Sequence, residues 1–411
     1  MSNIFIIKKN FNKNEKFEFI ERKGVGHPDT LADLLAEYLS NKYSRYTLEK
    51  FGVVLHHNFD KVGLLGGASF VTFGKGYLTK PIKVLINGRA SISCGLVDIP
   101  VKKLIEQWVK EFFKNRLYKL DPDKHLKIVF NLSSQSSPGK TYEKESKNSV
   151  RKFWFEPRTI NDLPEIKQLV SNDTSIGVGY APRSVLEEMV LDIEKTLNSE
   201  KYRKKRPWTG FDIKIMAFRE GFNVKMTICI PQIADRVKSI EEYKQNIEIA
   251  DRDIKNIICK YKKKVKNFEL NINTRDKFDC SEVYLTAIGS SIESGDEGLV
   301  GRGNRINQLI SINKPMSMEG ACGKNPVYHI GKVYYLFALK LANKIYKKFG
   351  IKNEVYLASQ SGRDLLDPWI SVVAVPHNFS KVAEVNKFLL KEFKTIPKMT
   401  ELIIKGKDNL A

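Results

Sequence analysis

Apolar side chains recur every three or four residues in several parts of the chain, which is the spacing of an amphipathic helix. Residues 101–117 show this pattern clearly, with Ile105, Trp108 and Phe112 on one predicted face. Asp98 and Pro100 precede the pattern and supply a helix start signal. The same reasoning predicts further helices at 31–48, 184–197, 237–260, 331–349 and 381–393.

Short runs rich in β-branched and aromatic residues separate these helices and predict strands. Glu220-Gly221 lies between two of the runs and predicts a tight hairpin turn. The predicted strands cover 61–68, 82–93, 126–132, 211–219, 223–230, 282–289, 354–359 and 369–374.

Strands followed by a helix occur in three successive stretches of the chain. This order predicts an α/β protein with three similar subdomains, each a mixed β-sheet covered by helices on one face. We place the subdomains approximately at residues 1–130, 131–270 and 271–411, and we expect them to be intertwined. Two charged segments, 140–152 and 199–206, interrupt the second subdomain and predict mobile surface loops.

The chain is basic, with 69 Lys and Arg against 47 Asp and Glu and a net charge of +22. Such a charge favours polyanions: nucleic acid, an anionic membrane or phosphorylated small molecules. The lysines are spread along the whole length, whereas a nucleic-acid footprint is clustered on one face. We therefore favour a compositional origin of the charge and expect no nucleic-acid partner.

The five cysteines are scattered and form no CxxC pair, which argues against a disulfide framework or a thiolate metal site. Free, buried thiols in a reducing compartment are the simple interpretation. The first residues lack a signal-peptide core, and no apolar run approaches the roughly 18 residues of a membrane helix. The sequence therefore predicts a cytoplasmic protein without a membrane partner.

Two glycine-rich segments each precede a predicted helix, whose N-terminus is a natural phosphate site. In the first, residues 23–29, His27 can donate to a phosphate oxygen and Asp29 can hold Mg²⁺. The alternative is an Asp that only caps the helix. In the second, residues 172–182, Asp173 can bind ribose hydroxyls, although the segment also fits a plain strand-to-helix loop.

Asp212 and Lys214 are two positions apart on a predicted strand, so their side chains share one face. They form either an exposed pair or part of a site. Residues 289–305 and 316–326 combine acidic residues and arginines with many glycines, which is unusual for a simple connector. Glycine lets backbone N–H groups face an anion, and Arg offers a planar fork to phosphate oxygens.

Together these segments resemble the methionine adenosyltransferase family, and more closely its archaeal-type branch. Residues 26–29 look like the family's GHPD segment, and Asp212 with Lys214 matches its DxK pair. Residues 173–181, 295–302 and 323–326 are similar to its DxxxxxGYA, GDxGLxGR and GKDP segments, with Asn325 in place of Asp. The segments occur in the family's order. The archaeal-type branch is suggested by residues 56–60, 301–305 and 315–319.

The resemblance implies an S-adenosylmethionine synthetase-like fold and the joining of ATP to L-methionine, whose sulfur attacks C5′ and expels triphosphate. It further implies cleavage of the triphosphate to phosphate and pyrophosphate, two Mg²⁺ ions and a K⁺, and a homodimer or dimer of dimers with active sites at the subunit interface. The implied catalytic residues are His27, Lys214, Arg302 and Lys324; the substrate-binding residues are Asp173, Asp212, Gln135 and Ser136; the metal ligands are Asp29 and Asp296.

Two other functions use the same residue types. An ATP-dependent phosphotransferase or ATPase would share the phosphate-binding groups but release ADP. An RNA-binding protein would use the lysines at 201–206 and 260–266 with the interleaved Tyr202 and Tyr261. No RRM, KH or zinc pattern accompanies them.

Overall fold

The computed structural model describes residues 3–11, 16–114, 116–135, 153–406 and 410. Ser136 and the charged segment 140–152 lie outside these residues. The helices within them, α1 to α9 in chain order, are Pro28–Phe51, Val101–Lys114, Pro122–His125, Val185–Leu197, Glu200–Lys205, Ile240–Ile258, Ile330–Phe349, Val382–Phe393 and Lys398–Ile404.

The strands in the same part of the chain are β1 to β20. They are Ile4–Lys9, Phe17–Lys23, His57–Asn58, Gly63–Leu65, Ala68–Thr72, Lys75–Lys80, Ile82–Ala90, Ser93–Cys94, Val97–Asp98, Leu126–Ser133, Ile176–Ala181, Lys214–Glu220, Asn223–Cys229, Gln232–Ile233, Asn267–Ile272, Leu285–Thr286, Gly298–Leu299, Ile310–Ser311, Asn353–Ala358 and Ile370–Pro376.

Three principal sheets contain most of these strands. The first sheet has the order β10-β7-β4-β17, with β3 also paired to β7. The second sheet has the order β15-β13-β12-β2-β18, and the third has the order β1-β20-β19-β11. Each contains both parallel and antiparallel pairs, as in β10 with β7 and β4 with β7. The expected α/β class with mixed sheets is therefore confirmed.

Each principal sheet has its own hydrophobic core beneath its helices. Helices α1 and α2 bury their apolar faces against the first sheet. Helices α4 and α6 cover the second sheet, and α7 to α9 cover the third. Because each of these helices buries one apolar face against a sheet, its apolar residues recur with helical spacing, and the helices could be predicted from the sequence.

The subdomain boundaries near residues 130 and 270 stay a prediction. Each principal sheet combines strands that lie before and after one of these boundaries. In the third sheet, β1 pairs in parallel with β20, so Ile4 lies opposite Ser371. In the second sheet, β2 lies between β12 and β18. Chain segments far apart in sequence are thereby held together around the candidate site.

Two local predictions were wrong. Most of the segment 199–206, predicted as a loop, forms α5 at Glu200–Lys205, and the Ser199 side chain caps its N-terminus. The strand predicted at 282–289 is reduced to Leu285–Thr286. The five cysteines are free, as expected, but only Cys94 and Cys322 are buried, and Cys259 and Cys280 are exposed. Among the described residues, no helix is long and apolar enough to cross a membrane.

Candidate active site

A glycine turn places the start of α1 against strand β12. The N–H of Gly24 donates to the carbonyl of Ile213 at 2.7 Å, and the N–H of Gly26 donates to that of Phe211 at 3.0 Å. A β-carbon at Gly26 would collide with the backbone and side chain of Phe211, so only glycine permits this approach. His27 therefore lies beside the residues that begin β12.

His27 caps the N-terminus of α1 and is set up as a neutral donor. Its Nδ1 accepts a hydrogen bond from the N–H of Asp29 at 3.2 Å, which leaves the proton of the neutral ring on Nε2. Burial lowers the pKa of His27 despite the opposing charges of Asp212 and Asp29. The Nε2–H group is thus available to a phosphate oxygen without a change in protonation.

Asp29 joins this turn to the glycine-rich loop at 295–302. Its Oδ1 accepts from the N–H of Leu299 at 3.0 Å, and its Oδ2 lies 2.8 Å from Lys23 Nζ. Lys23 also donates to the carbonyl of Arg302 at 2.7 Å. A β-carbon at Gly298 would overlap the carbonyl of Pro28, so the loop packs directly on the first turn of α1.

Two carboxylates converge on the hydroxyl of Ser291. Ser291 Oγ lies 2.5 Å from Asp212 Oδ2 and 3.0 Å from Asp296 Oδ2. Since a hydroxyl has one proton, it can donate to only one of them at a time. Asp212 is buried and also accepts from the Ser291 N–H and the Tyr284 hydroxyl, whereas Asp296 is exposed.

These groups line a cavity of about 500 Å³, which we call the glycine-framed pocket. Lys214 Nζ lies 3.3 Å from Glu21 and remains about two-fifths exposed, so its charge is accessible to a ligand. The lining residues are His27, Asp212, Lys214, Cys229, Asn273, Thr274, Arg275, Asp276, Glu282, Val283, Tyr284, Ser291 and Asp296.

Lys324 belongs to a second set of charges, which we call the Lys324 cluster. Its Nζ lies 3.0 Å from Asp60 and 3.0 Å from Glu319, and the side chain is almost fully buried. Burial acts to lower the pKa of Lys324, but the two carboxylates outweigh it and raise this pKa. Burial acts to raise the pKa of Asp60, yet Lys324 and Lys61 lower it to about 2.

Helix α1 separates the two regions. Ser40 Oγ lies 3.0 Å from the carbonyl of Lys324. Ser40 lies on α1 thirteen positions after His27, the N-cap of this helix, which corresponds to about 20 Å at 1.5 Å per residue. A lysine side chain cannot cover that distance, so Lys324 does not reach the glycine-framed pocket of its own chain.

The other predicted residues lie apart from the glycine-framed pocket. Arg302 is exposed, and its carbonyl accepts a hydrogen bond from Lys23. Asp173 is exposed, and its carboxylate accepts the N–H of Thr174 at 2.8 Å. The adjacent Asn172 lines a cavity of about 300 Å³ together with His329, on the side of the Lys324 cluster. Gln135 is exposed, and Ser136 lies outside the described residues.

Several residues that shape the two regions had no role in the sequence analysis. The motif segments of the sequence contain Ser291, Asp60 and Glu319, but nothing in them indicated which side chains these three residues would contact. Tyr284 gave no signal at all. Asp33 follows Asp29 by one helical turn, and this spacing could have shown that both carboxylates face the same loop.

The fit of a metal ion can be tested on the carboxylates. Among the described residues, no three His, Cys, Asp or Glu side chains are grouped closely enough to hold a metal ion by themselves. Mg²⁺ usually keeps several waters and uses one or two carboxylates plus substrate phosphates. The Asp212–Ser291–Asp296 arrangement fits an ion that arrives with a nucleotide.

Comparison with known proteins gives one consistent result. The sequence model of the S-adenosylmethionine synthetase (AdoMet synthetase) family matches residues 2–407. The chain is 37% identical to the S-adenosylmethionine synthase of the archaeon Hyperthermus butylicus over 96% of this chain and 95% of that one. It is also 37% identical to that of Pyrobaculum aerophilum, over 96% of both chains.

A solved structure of an S-adenosylmethionine synthetase from Campylobacter jejuni has the same fold. It aligns with a TM-score of 0.60 at 16% identity, over 94% of this chain and 88% of that one. The sequence match, the shared fold and the convergence of the GHPD, DxK and GDEGLVGR segments agree. The chain belongs to the S-adenosylmethionine synthetase family, and its sequence resembles the archaeal members.

Proposed function

We infer that this chain synthesises S-adenosylmethionine from ATP and L-methionine, and that the triphosphate is cleaved and released as phosphate and pyrophosphate. Membership of the family supports the reaction. The observation that carries the assignment to particular residues is the meeting of three distant segments, 26–29, 212–214 and 291–299, at the glycine-framed pocket. The cytoplasmic location stays a prediction.

The chemistry requires stabilisation of a leaving group rather than activation of a nucleophile. The methionine sulfur is neutral and nucleophilic, so the pocket needs no general base. The triphosphate leaves with several negative charges, and fixed donors in a partly enclosed site stabilise them. Lys214 supplies an accessible ammonium, and His27 supplies a neutral Nε2–H donor whose pKa is lowered by burial.

Asp296 and Asp212 are the residues best placed to hold a divalent ion, which we take to be Mg²⁺. Bound there, the ion would neutralise phosphate charge and polarise the phosphoryl oxygens. Asp29 already contacts Lys23 and the Leu299 N–H, so an ion at Asp29 would have to displace Lys23. K⁺ is carried over from the resemblance alone, and no residue of this chain is assigned to it.

The active site is assembled from two chains of a homodimer or a dimer of dimers. This proposal is supported by the separation of the two regions by about 20 Å along α1. The glycine-framed pocket of one chain would face the Lys324 cluster, Arg302 and Asp173 of another. Asp173 would then contact the adenosine, and Gln135 and Ser136 would bind the nucleotide.

Product analysis tests the reaction. The protein is incubated with ATP, L-methionine, Mg²⁺ and K⁺, and the mixture is analysed by mass spectrometry for the sulfonium product and by ion chromatography for phosphate and pyrophosphate. Sulfonium, phosphate and pyrophosphate in equal amounts support the proposal. Release of ADP without a sulfonium would assign the chain to phosphoryl transfer instead.

Subunit complementation tests the shared site. Lys214→Ala and Lys324→Ala are made in separately tagged chains, each alone and then co-expressed. Random pairing of two such chains in a symmetric dimer leaves roughly a quarter of the sites intact, so activity should recover to that level. The tags verify that mixed dimers formed. Mixed dimers without recovered activity would place both lysines in one chain's site.

A further inference from the structure

A second cavity, of about 510 Å³, lies at the far end of β2 and β12 from the glycine-framed pocket. Lys214 begins β12, whereas Arg219, near its other end, lines this cavity. Arg219 comes five positions after Lys214 on this strand, which corresponds to about 17 Å at 3.3 Å per residue. The lining includes residues from β1, β2 and β11, the β12–β13 hairpin, the loop after α6 and the start of β19.

The lining is strongly basic, and we therefore call this space the basic cavity. Seven cationic side chains and two carboxylates line it. The cationic residues are Lys9, Arg183, Arg219, Lys263, Lys264, Lys314 and Lys352. Two of them, Lys263 and Lys264, belong to the lysine run at 260–266, for which the assigned reaction has no use.

Both carboxylates are already bound to cations of the same wall. Glu354 lies 2.6 Å from Lys9 Nζ, and the fully buried Glu18 accepts from Arg219 Nε at 2.6 Å. Among the described residues, Lys263, Lys264 and Lys352 form no ion pair. Like charges brought together without a counter-charge repel each other, so this arrangement is stabilised when an anion enters.

The floor of the basic cavity is a buried hydrogen-bond network. The Tyr180 hydroxyl donates to Glu187, and Asn307 Nδ2 donates to the Tyr180 oxygen at 2.7 Å. Arg183 Nη2 donates to the carbonyl of Asn307 at 2.9 Å, which fixes a guanidinium at the edge. Ser184 caps the N-terminus of α4 here, and the positive end of this 13-residue helix adds to the positive electrostatic potential of the cavity.

We propose that the basic cavity binds a phosphorylated small molecule with two or more phosphoryl groups. Its volume is in the range of small-molecule pockets and suits a nucleotide or an inorganic oligophosphate. Phe11 and Phe222 in the wall give apolar contact area beside the cations, which a nucleotide base would use. The site is separate from Lys214 and needs none of the residues assigned to the reaction.

Lysine reactivity measured by mass spectrometry locates such binding residue by residue. The whole protein is acetylated with and without inorganic tripolyphosphate, ATP or a short oligouridine RNA. Tripolyphosphate or ATP should protect Lys263, Lys264 and Lys352 from acetylation. The degree of protection by the two compounds differs if the adenine base contributes to binding. Lys214 reports the glycine-framed pocket in the same sample, so failure of one site is distinguishable from failure of the other. The exposed pair Lys102 and Lys103 on α2 serves as an internal reference.

A matched pair of double variants then tests the site. In Lys263→Gln/Lys264→Gln, the concentration that half-protects Lys352 should rise at least about tenfold, because charge-assisted hydrogen bonds are lost. The ligand concentration that half-protects Lys214 should not change. Lys102→Gln/Lys103→Gln removes the same charge from α2 and should change neither value.

Two results would overturn the proposal. One is protection of Lys263, Lys264 and Lys352 no greater than that of Lys102 and Lys103, which would mean a diffuse counterion atmosphere. The other is stronger protection by the RNA that extends over residues 201–205, which would mean an extended nucleic-acid surface. Circular dichroism of each variant excludes unfolding as the cause of lost protection.

Discussion

The glycine-framed pocket and the Lys324 cluster use the same residue types in opposite ways. In the pocket, Lys214 is partly exposed, and its Nζ lies 3.3 Å from the carboxylate of Glu21. In the cluster, Lys324 is buried between Asp60 and Glu319. The first lysine can meet a ligand directly, whereas the second is already neutralised within the fold. A lysine in a family motif therefore does not by itself identify an accessible charge.

Lys324→Ala should have the largest effect, and on stability as well as activity. Asp60 would lose the cation that lowers its pKa to about 2 and would stay buried. Loss of one partner of a buried pair costs about 3–5 kcal/mol. Denaturant unfolding of the parent and the variant measures this loss.

Lys61→Ala is the matched control, because exposed Lys61 contacts the same Asp60 at 2.9 Å. A surface pair contributes about 0–1 kcal/mol. Equal losses of unfolding free energy in Lys324→Ala and Lys61→Ala would show that the pairing of Lys324 contributes no more than a surface ion pair.

Lys214→Ala should affect turnover and leave stability nearly unchanged. Removal of one donor to developing charge typically lowers kcat by about 10²–10³. Single-turnover formation of the sulfonium measures this loss. Lys225→Ala on the neighbouring β13 removes an exposed lysine outside the pocket and should keep parental turnover. A Lys214→Ala enzyme within a few-fold of the parent would remove Lys214 from the mechanism.

Asp33 lies on α1 between the two regions and should give the protein a pH-dependent stability. Burial raises the pKa of Asp33 to about 7, although its Oδ1 accepts the N–H of Gly301 at 2.8 Å. A carboxyl with a raised folded-state pKa contributes stability that is full below its unfolded pKa and is lost as pH rises through the folded value.

The unfolding free energy should therefore fall between pH 4 and pH 8 by an amount on the order of a few kcal/mol, since one pKa unit is about 1.4 kcal/mol. Asp33→Asn should flatten this part of the curve. If the unfolding free energy of the parent and of Asp33→Asn changed identically with pH, ionisation of Asp33 would have no effect on stability.

His27 variants should show the smallest effect. Because burial lowers the pKa of His27, the neutral ring donates through Nε2, and an amide can partly replace that donor. His27→Asn should keep roughly tenfold more activity than His27→Ala, if one hydrogen bond to a charged phosphate is retained. Equal losses would show that His27 is needed for more than a hydrogen bond.

Much of the fold was predictable because each principal sheet buries one face against helices of clear 3.6-residue periodicity. The predictions for α2, α4, α7 and α8 agree with the structure to within a few residues. The strands β1 and β2 were missed, although the residues of β2 alternate between exposed and buried. Their partners lie hundreds of positions away, and short-range patterns carry no information on such pairing.

The segments that form the candidate site could be predicted from the sequence, but the contacts and distances between their side chains could not. The glycines near His27 were visible in the sequence, but nothing showed that Gly26 admits the backbone of Phe211. The sequence could not show that Asp60, 264 positions away, would neutralise Lys324. The distance between the two regions also follows from the length of α1 rather than from any motif.

The parallel pairing of β1 with β20 affects how the protein is made. During translation, β1 emerges from the ribosome hundreds of residues before β20, so its pairing edge stays unsatisfied until β20 has been synthesised. Such non-local closure slows folding and leaves a strand open to the wrong neighbour. The third sheet should therefore form last of the three principal sheets, because its strands β19 and β20 follow every strand of the other two.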